Sequence, residues 1–205
     1  MSFNNFFSKY EREILTVCVS IIWMVLYFST NYLSQFRNYT TLELPIDRLI
    51  PFVPFFVIFY ITSVFITFIP YFVVKNIEDY RKVAKLYLFI IIVSCIIYLI
   101  IPVKAARPEF IPTNIFGSLV AFIYAKILPY NLFPSLHVSL NVTATLVSLK
   151  YKRILGYILI PITLGIIIST LFIKQHYLVD IIAAIIIAFV FYYYFFYTAR
   201  ASAAR

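Results

Sequence analysis

Charge is scarce in this chain, and so are the residues that mark soluble loops. Only 12% of its 205 residues are Asp, Glu, Lys or Arg, and there are three glycines. Hydrophobic residues make up 63% and aromatic residues 20%. A soluble domain of this size must present a polar outside to water, and this composition cannot supply one. An ordinary water-soluble fold is thereby excluded, and lipid is the expected solvent. No internal repeat or low-complexity linker divides the chain, so residues 1–205 read as one membrane-embedded domain.

Cysteine is equally uninformative for metal or redox chemistry. Cys18 and Cys95 each lie inside a long apolar run, without metal-site spacing and badly placed for a disulfide. Acidic residues number eight against seventeen Lys and Arg, a formal net charge of +9. No acidic cluster of the kind that holds magnesium at phosphate is visible, and neither metal nor cofactor is expected. The basic residues are dispersed between apolar segments, not gathered on one face. That pattern argues against nucleic acid and for lipid headgroups or phosphorylated ligands as partners. The beginning of the chain lacks the marks of a cleaved signal peptide, since Glu11 and Glu13 precede its apolar run and no small-residue cleavage site follows. It reads as an uncleaved first span.

What is present is a series of apolar runs. A helix needs roughly 20 apolar residues to cross the hydrocarbon core. Suitable stretches occupy 14–34, 49–74, 86–103, 154–173 and 181–199, and a further run at 127–149 is expected to turn helical around Pro134. The expected fold is an all-α bundle of six transmembrane helices. The segment 110–125, interrupted by Pro112, Asn114 and Gly117, reads as a short helix lying at the surface or dipping partway in. With six spans, eleven basic residues share one side: Lys9, Arg12, Lys75, Arg81, Lys82, Lys85, Lys150, Lys152, Arg153, Arg200 and Arg205. The other six are Arg37, Arg48, Lys104, Arg107, Lys126 and Lys174. By the positive-inside rule both termini are cytoplasmic. The aromatic cluster at 191–197 suits the inner interface.

This topology gathers the remaining polar residues at the outer face. "PVKAARPEF" brings Lys104 and Arg107, "NLFPSLHVS" brings Ser135 and His137, and "STLFIKQHYLVD" brings Lys174, His176 and Asp180. Both histidines of the chain are among them, and Asp180 is the one acidic residue embedded in an apolar segment. An ionised carboxylate there is costly unless paired. His176 and Asp180 are four residues apart, one turn along a helical face, so the carboxylate can hold one imidazole nitrogen and leave the other free as nucleophile or base. Pro134 opening a helix would leave outward-pointing amides as an anion cradle, to which Ser135 adds a hydroxyl. Arg107 suits forked recognition of phosphate oxygens. Structural pairing of His176 with Asp180, a metal site including His137, and interfacial anchoring by Lys104, Arg107 and Lys174 are the competing readings. A proton-relaying transporter is a further one, but its polar residues belong near the midplane.

Taken as a set, these stretches resemble the signature of the type 2 phosphatidic acid phosphatase superfamily, with motifs K-x6-R-P, P-S-G-H and S-R-x5-H-x3-D. Arg107-Pro108 matches the end of the first, Pro134-Ser135-x-His137 the second, and Ser169, His176 and Asp180 the third, over roughly residues 100–185. There are departures. Ile100 stands at the first-motif lysine, with Lys104 a substitute; Leu136 replaces the glycine; Thr170 replaces the third-motif arginine, whose charge Lys174 can supply. Thr170 and the His176-Tyr177 pair are reminiscent of the inositol phosphorylceramide synthase branch. The resemblance implies His176 as nucleophile, Asp180 as its orienting partner and His137 as general acid and base. It implies Lys104, Arg107, Ser135 and Lys174 as phosphate-binding residues, with Ser169 and Thr170 beside them. The expected activity is metal-independent hydrolysis of a phosphorylated membrane lipid through a phosphohistidine, or transfer to a lipid or polyol hydroxyl. A non-catalytic transporter or scaffold on the same fold is the remaining alternative. The expected setting is a multi-pass protein of the cell (inner) membrane, its site facing the periplasm, the exterior or a lumen.

Overall fold

The computed structural model describes residues 9–198, and the basic residues Arg200 and Arg205 counted above lie outside them. The helices are α1 (Glu11–Ser34), α2 (Pro45–Leu49), α3 (Val57–Thr67), α4 (Ile69–Val73), α5 (Ile77–Ile100), α6 (Ile115–Lys126), α7 (Leu136–Tyr151), α8 (Arg153–Phe172) and α9 (Leu178–Tyr193). A 3₁₀ turn at Pro54–Phe56 leads into α3, and a π turn at Tyr194–Thr198 follows α9. Among the described residues there is no strand, only an isolated bridge between Thr40 and Val103.

The helix starts follow local chemistry. Asn76, Asn114 and Ser135 stand at the N-caps of α5, α6 and α7, accepting the amide protons of Asp79, Gly117 and Val138. Glu78 and Asp79 then place negative charge in the first turn of α5, where the helix dipole favours it.

Four of the six stretches expected to cross a bilayer coincide with helices long and apolar enough to do so: α1, α5, α8 and the segment Leu178–Thr198. The other two differ in form. The stretch 49–74 is divided into the 3₁₀ turn, α3 and α4, and the second break falls just before Pro70, the second residue of α4, which cannot donate to the helical ladder. The fourth stretch is α7, which has 16 residues and is buried along most of its length. Segment 110–125 yields α6, of 12 residues. At 1.5 Å per residue it is about 18 Å long, well short of the roughly 30 Å hydrocarbon core.

Helix α7 is the centre of the bundle, packed on α8 and α9 and touched by α3, α4 and α5, while α1 lies against α5. A central helix needs no lipid-facing side, which is why α7 tolerates Ser139, Thr143, Thr145 and Ser148. Their hydroxyls donate to carbonyls three or four residues back. The hydroxyl of Thr145 also meets that of Thr163 on α8 at 2.7 Å. These bonds satisfy polar groups where no water is available. Apolar side chains on the outer helices point the other way: Met24 and Phe28 of α1, Ile96 of α5 and Ile186 of α9 are each at least half exposed.

The α7–α8 connection is tight, and Gly156 makes it so. A Cβ at Gly156 would lie 2.5 Å from the backbone N and Cα of Leu149. A Cβ at Gly165 would meet first the ring of Phe59, at 2.6 Å. Gly156→Ala should therefore destabilise by about 1–3 kcal/mol, the usual cost of overpacking, because backbone must move. Gly165→Ala should cost less, since the Phe59 side chain can swing away. Thermal unfolding of the two variants in detergent, read side by side, checks the order.

Candidate active site

The reversal between α8 and α9 positions His176. The chain leaves α8 at Phe172 and turns through Lys174, whose φ of 51° lies in the left-handed region. This turn lets the amides of Gln175 and His176 both donate to the Thr170 carbonyl, at 2.9 and 3.1 Å. His176 is thereby buried, with 8% of its surface exposed. Helix α9 begins only at Leu178, with Tyr177 as N-cap. The expected pairing along one helical face is thus realised differently, because His176 precedes the helix and Asp180 is its third residue.

Asp180 is fully buried and serves two groups with one oxygen. Its Oδ2 accepts the Tyr177 amide proton at 2.8 Å and lies 3.4 Å from His176 Nδ1. The first bond caps α9. The second is long for a charge-assisted bond, yet it directs Nδ1 toward the carboxylate and leaves Nε2 for chemistry.

His137 approaches from α7. Its ring centroid is 6.2 Å from that of His176 and 4.5 Å from that of Tyr60. Pro134 was expected at the first helical position, but Leu136 occupies it and Ser135 is the N-cap. Serine wins that place because its Oγ can accept the Val138 amide proton, which proline cannot do. The Ser135 amide donates to the Asp180 carbonyl at 3.2 Å, tying the start of α7 to the first turn of α9.

The basic residues divide. Arg107 and Lys174 line the same cavity as His176, about 410 Å³ in volume, together with Glu43, Asp47, Arg48, Tyr177 and their neighbours. Arg107 donates to the carbonyls of Tyr124 and Ile127 and, at 2.8 Å, to Gln175 Oε1, with its guanidinium over the Tyr124 ring. Burial pulls its pKa down, opposed by Tyr124, Tyr60 and Tyr27. A guanidinium stays charged under such a shift. The Lys174 ammonium donates to the carbonyls of Asp47 and Ile50 at 2.9 and 2.5 Å. Lys104 lies apart: its ammonium packs 4.6 Å from the Tyr39 ring centroid, and the residue is not in the cavity wall. Ser169 and Thr170 are buried with their hydroxyls bonded to Ile166 and Ile167 carbonyls, and what Thr170 contributes to the turn is its backbone carbonyl.

His137 also lines a second cavity of about 200 Å³, between α1 and α3. Its wall holds exposed Met24, Phe28 and Val64 beside buried Asn141, whose Oδ1 has no partner. The two histidines thus meet between a polar chamber and an apolar one.

Gln175 and Asp47 were not singled out from the sequence, and Tyr177 only as part of the His176-Tyr177 pair, with no contact assigned to it. Gln175 receives the Arg107 fork. The Tyr177 hydroxyl accepts the Ala106 amide proton at 2.9 Å and that of Thr41 Oγ1 at 3.2 Å. Asp47 sits beneath the turn, its carboxylate 2.9 Å from the Leu178 amide. A signal for Asp47 exists in "LPIDRL", where Pro followed two residues later by Asp marks a helix start. No local pattern announces its contact with residues 130 positions away.

Comparison with curated proteins and with solved structures returned no match. Comparison with family models returned one, the PAP2 superfamily, over residues 50–194, which takes in Arg107, Ser135, His137, Lys174, His176 and Asp180. That span is more than half of the chain, and the motif residues fall inside it in the family's order: the chain belongs to the PAP2 superfamily.

Proposed function

We propose that this protein is a membrane lipid phosphatase that works through a phosphohistidine. Membership of the superfamily supports a phosphatase- or phosphotransferase-type enzyme in general. The observation that carries the finer reading is the placement of His176, held by Asp180 at 3.4 Å, with His137 across from it at 6.2 Å and Arg107 and Lys174 in the adjoining cavity wall.

In this reading a phosphorylated lipid places its phosphate in the polar chamber. His176 Nε2 attacks phosphorus while the bond to the lipid oxygen breaks, and His137, acting as general acid, gives a proton to that oxygen. His137 then takes a proton from water. The resulting hydroxide attacks phosphorus, the P–N bond breaks, and inorganic phosphate leaves. Asp180 keeps Nδ1 protonated and the ring oriented throughout. Arg107 and Lys174 stabilise the charge on the equatorial oxygens, while Ser135, fully buried and outside the chamber wall, caps the helix that carries His137. Arg107 and Lys174 now hold protein carbonyls, and those bonds must be exchanged for phosphate oxygens.

The membrane arrangement belongs to the same proposal. Six crossings, with α3–α4 and α7 completing the four long helices, place both termini in the cytoplasm and the site at the outer face. The single-domain organisation and the location in a cell membrane go with it.

A second reading, transfer to a lipid or polyol hydroxyl, is favoured by one feature. His137 lines the apolar cavity facing the lipid, so its proton partner can be the hydroxyl of a second lipid instead of water. The departure at Thr170 and the His176-Tyr177 pair, both reminiscent of the inositol phosphorylceramide synthase branch, support it too.

The test is a panel of lipids labelled in the phosphate, incubated with purified protein and EDTA. Free phosphate as the labelled product supports the phosphatase. Label passing into a second lipid replaces that reading with the transferase. No turnover on any phosphorylated lipid would reject both.

A further inference from the structure

Asp47 lies three residues before the stretch that matches the family, on the five-residue helix α2, and it is 4% exposed. A buried carboxylate oxygen left without a partner is costly, and both oxygens of Asp47 are satisfied, whereas Oδ1 of the equally buried Asp180 has no hydrogen-bond partner. Oδ2 of Asp47 accepts the Leu44 amide proton at 2.8 Å and so anchors α2. Oδ1 accepts the Leu178 amide proton at 2.9 Å, on the first residue of α9. The Asp47 backbone carbonyl takes a third donor, Lys174 Nζ, at 2.9 Å. Leu178 and Lys174 flank His176 by two residues on either side. One residue from a short helix distant in sequence therefore grips both ends of the turn that presents the nucleophile.

We propose that Asp47 is a positioning residue for His176. Asp180 orients the ring from one side of the cap, at the Tyr177 amide and Nδ1, and Asp47 fixes where the cap itself stands through the next amide. Neither substitutes for the other, because each Tyr177 and Leu178 amide has a single proton. This role rests on the function proposed above, with His176 as nucleophile, but its geometry can be tested without turnover.

The chain contains two histidines, so protein labelled isotopically at histidine and purified without a histidine tag has two imidazole signals. His137→Gln assigns them. Asp47→Asn keeps the side-chain shape and one acceptor oxygen but cannot accept from both Leu44 and Leu178. Leu178→Pro removes the donor instead. Proline suits this first helical position, and Tyr177 before it is already extended, at φ −101° and ψ 162°. Leu178→Ala, which keeps the amide proton, is the control for the side chain.

The expected result is that Asp47→Asn and Leu178→Pro both move the His176 signal, while the His137 signal and the Leu178→Ala spectrum stay close to wild type. Turnover in the first two should fall about 10- to 100-fold with little change in KM, as displacement of a reacting group by about an ångström does. The double variant should lose no more than the worse single one. A His176 signal unmoved in either variant overturns the proposal, as does a signal moved equally by Leu178→Ala. Absence of turnover in wild type would count against the proposed function alone, and the spectra would still decide the role of Asp47.

Discussion

His176→Ala should abolish turnover, by at least about four orders of magnitude, while the helical bundle survives. The size follows from the division of labour in the proposed mechanism: His137, the other imidazole at the site, moves protons and is not held by a carboxylate as His176 is, and removing a member of a catalytic unit costs nearly the whole of its contribution. The bundle should survive because the turn is built by backbone. The His176 amide bonds to the Thr170 carbonyl at 3.1 Å, and that bond remains in the alanine variant. Wild type quenched in alkali during turnover of a phosphate-labelled lipid should carry label on the protein, stable to base and lost in acid, as a phosphoramidate is. The alanine variant should carry none. Phosphate release persisting in His176→Ala would sink the phosphohistidine mechanism outright.

Asp180→Asn should lower turnover by about 10²- to 10⁴-fold with much less effect on folding, the range spanned by a general acid–base contribution. Two demands on one atom explain the split. An asparagine oxygen in the place of Oδ2 can still accept the Tyr177 amide proton, which is 2.8 Å away, so the start of α9 stays capped. It carries no charge, however, and so cannot stabilise the positive charge that His176 acquires on attacking phosphorus in the proposed mechanism. Asp180→Ala loses the cap as well and should be less stable than Asp180→Asn by about 1 kcal/mol or more. Thermal unfolding in detergent and turnover, measured on both variants, separate the two roles. Equal losses of activity and stability in Asp180→Asn would make the carboxylate a structural cap only.

The asparagine–alanine contrast also explains why Asp180 is affordable in an apolar segment. The sequence suggests a single use for it, orienting His176. In the folded chain it is a helix cap first, and the capped amide repays part of the cost of its burial. Both uses depend on His176 standing outside the helix. The i, i+4 spacing of His176 and Asp180 brings the two together without a shared helical face, because the left-handed turn at Lys174 and the extended Tyr177 delay the helix by two residues.

The other differences have similar physical roots. Lys104 and Arg107 are three residues apart in a loop and look alike as charges. Burial against Tyr124 and a fork of three acceptors select Arg107 for the cavity wall, whereas Lys104 finds the face of Tyr39 nearer. Charge and spacing carry no information about which ring stands beside which cation. Pro134 was given a place that Ser135 takes, since an N-cap needs an acceptor and the side chain of serine supplies one.

By itself the sequence determined the solvent of this protein, its helical class, its family and the eight residues that match the family's motifs, because each rests on composition or on spacing within a short window. Apolar periodicity needs no partner to be read, and a motif keeps its order however the chain is folded. Only the tertiary structure decided that α7 is the buried centre, that the two histidines face each other between a polar and an apolar cavity, and that Asp47 reaches Leu178 across 131 residues of chain. Those facts belong to contacts between segments, and a contact between distant segments is fixed by packing and by the need of each buried amide and carboxylate for a partner, which no single stretch of sequence contains.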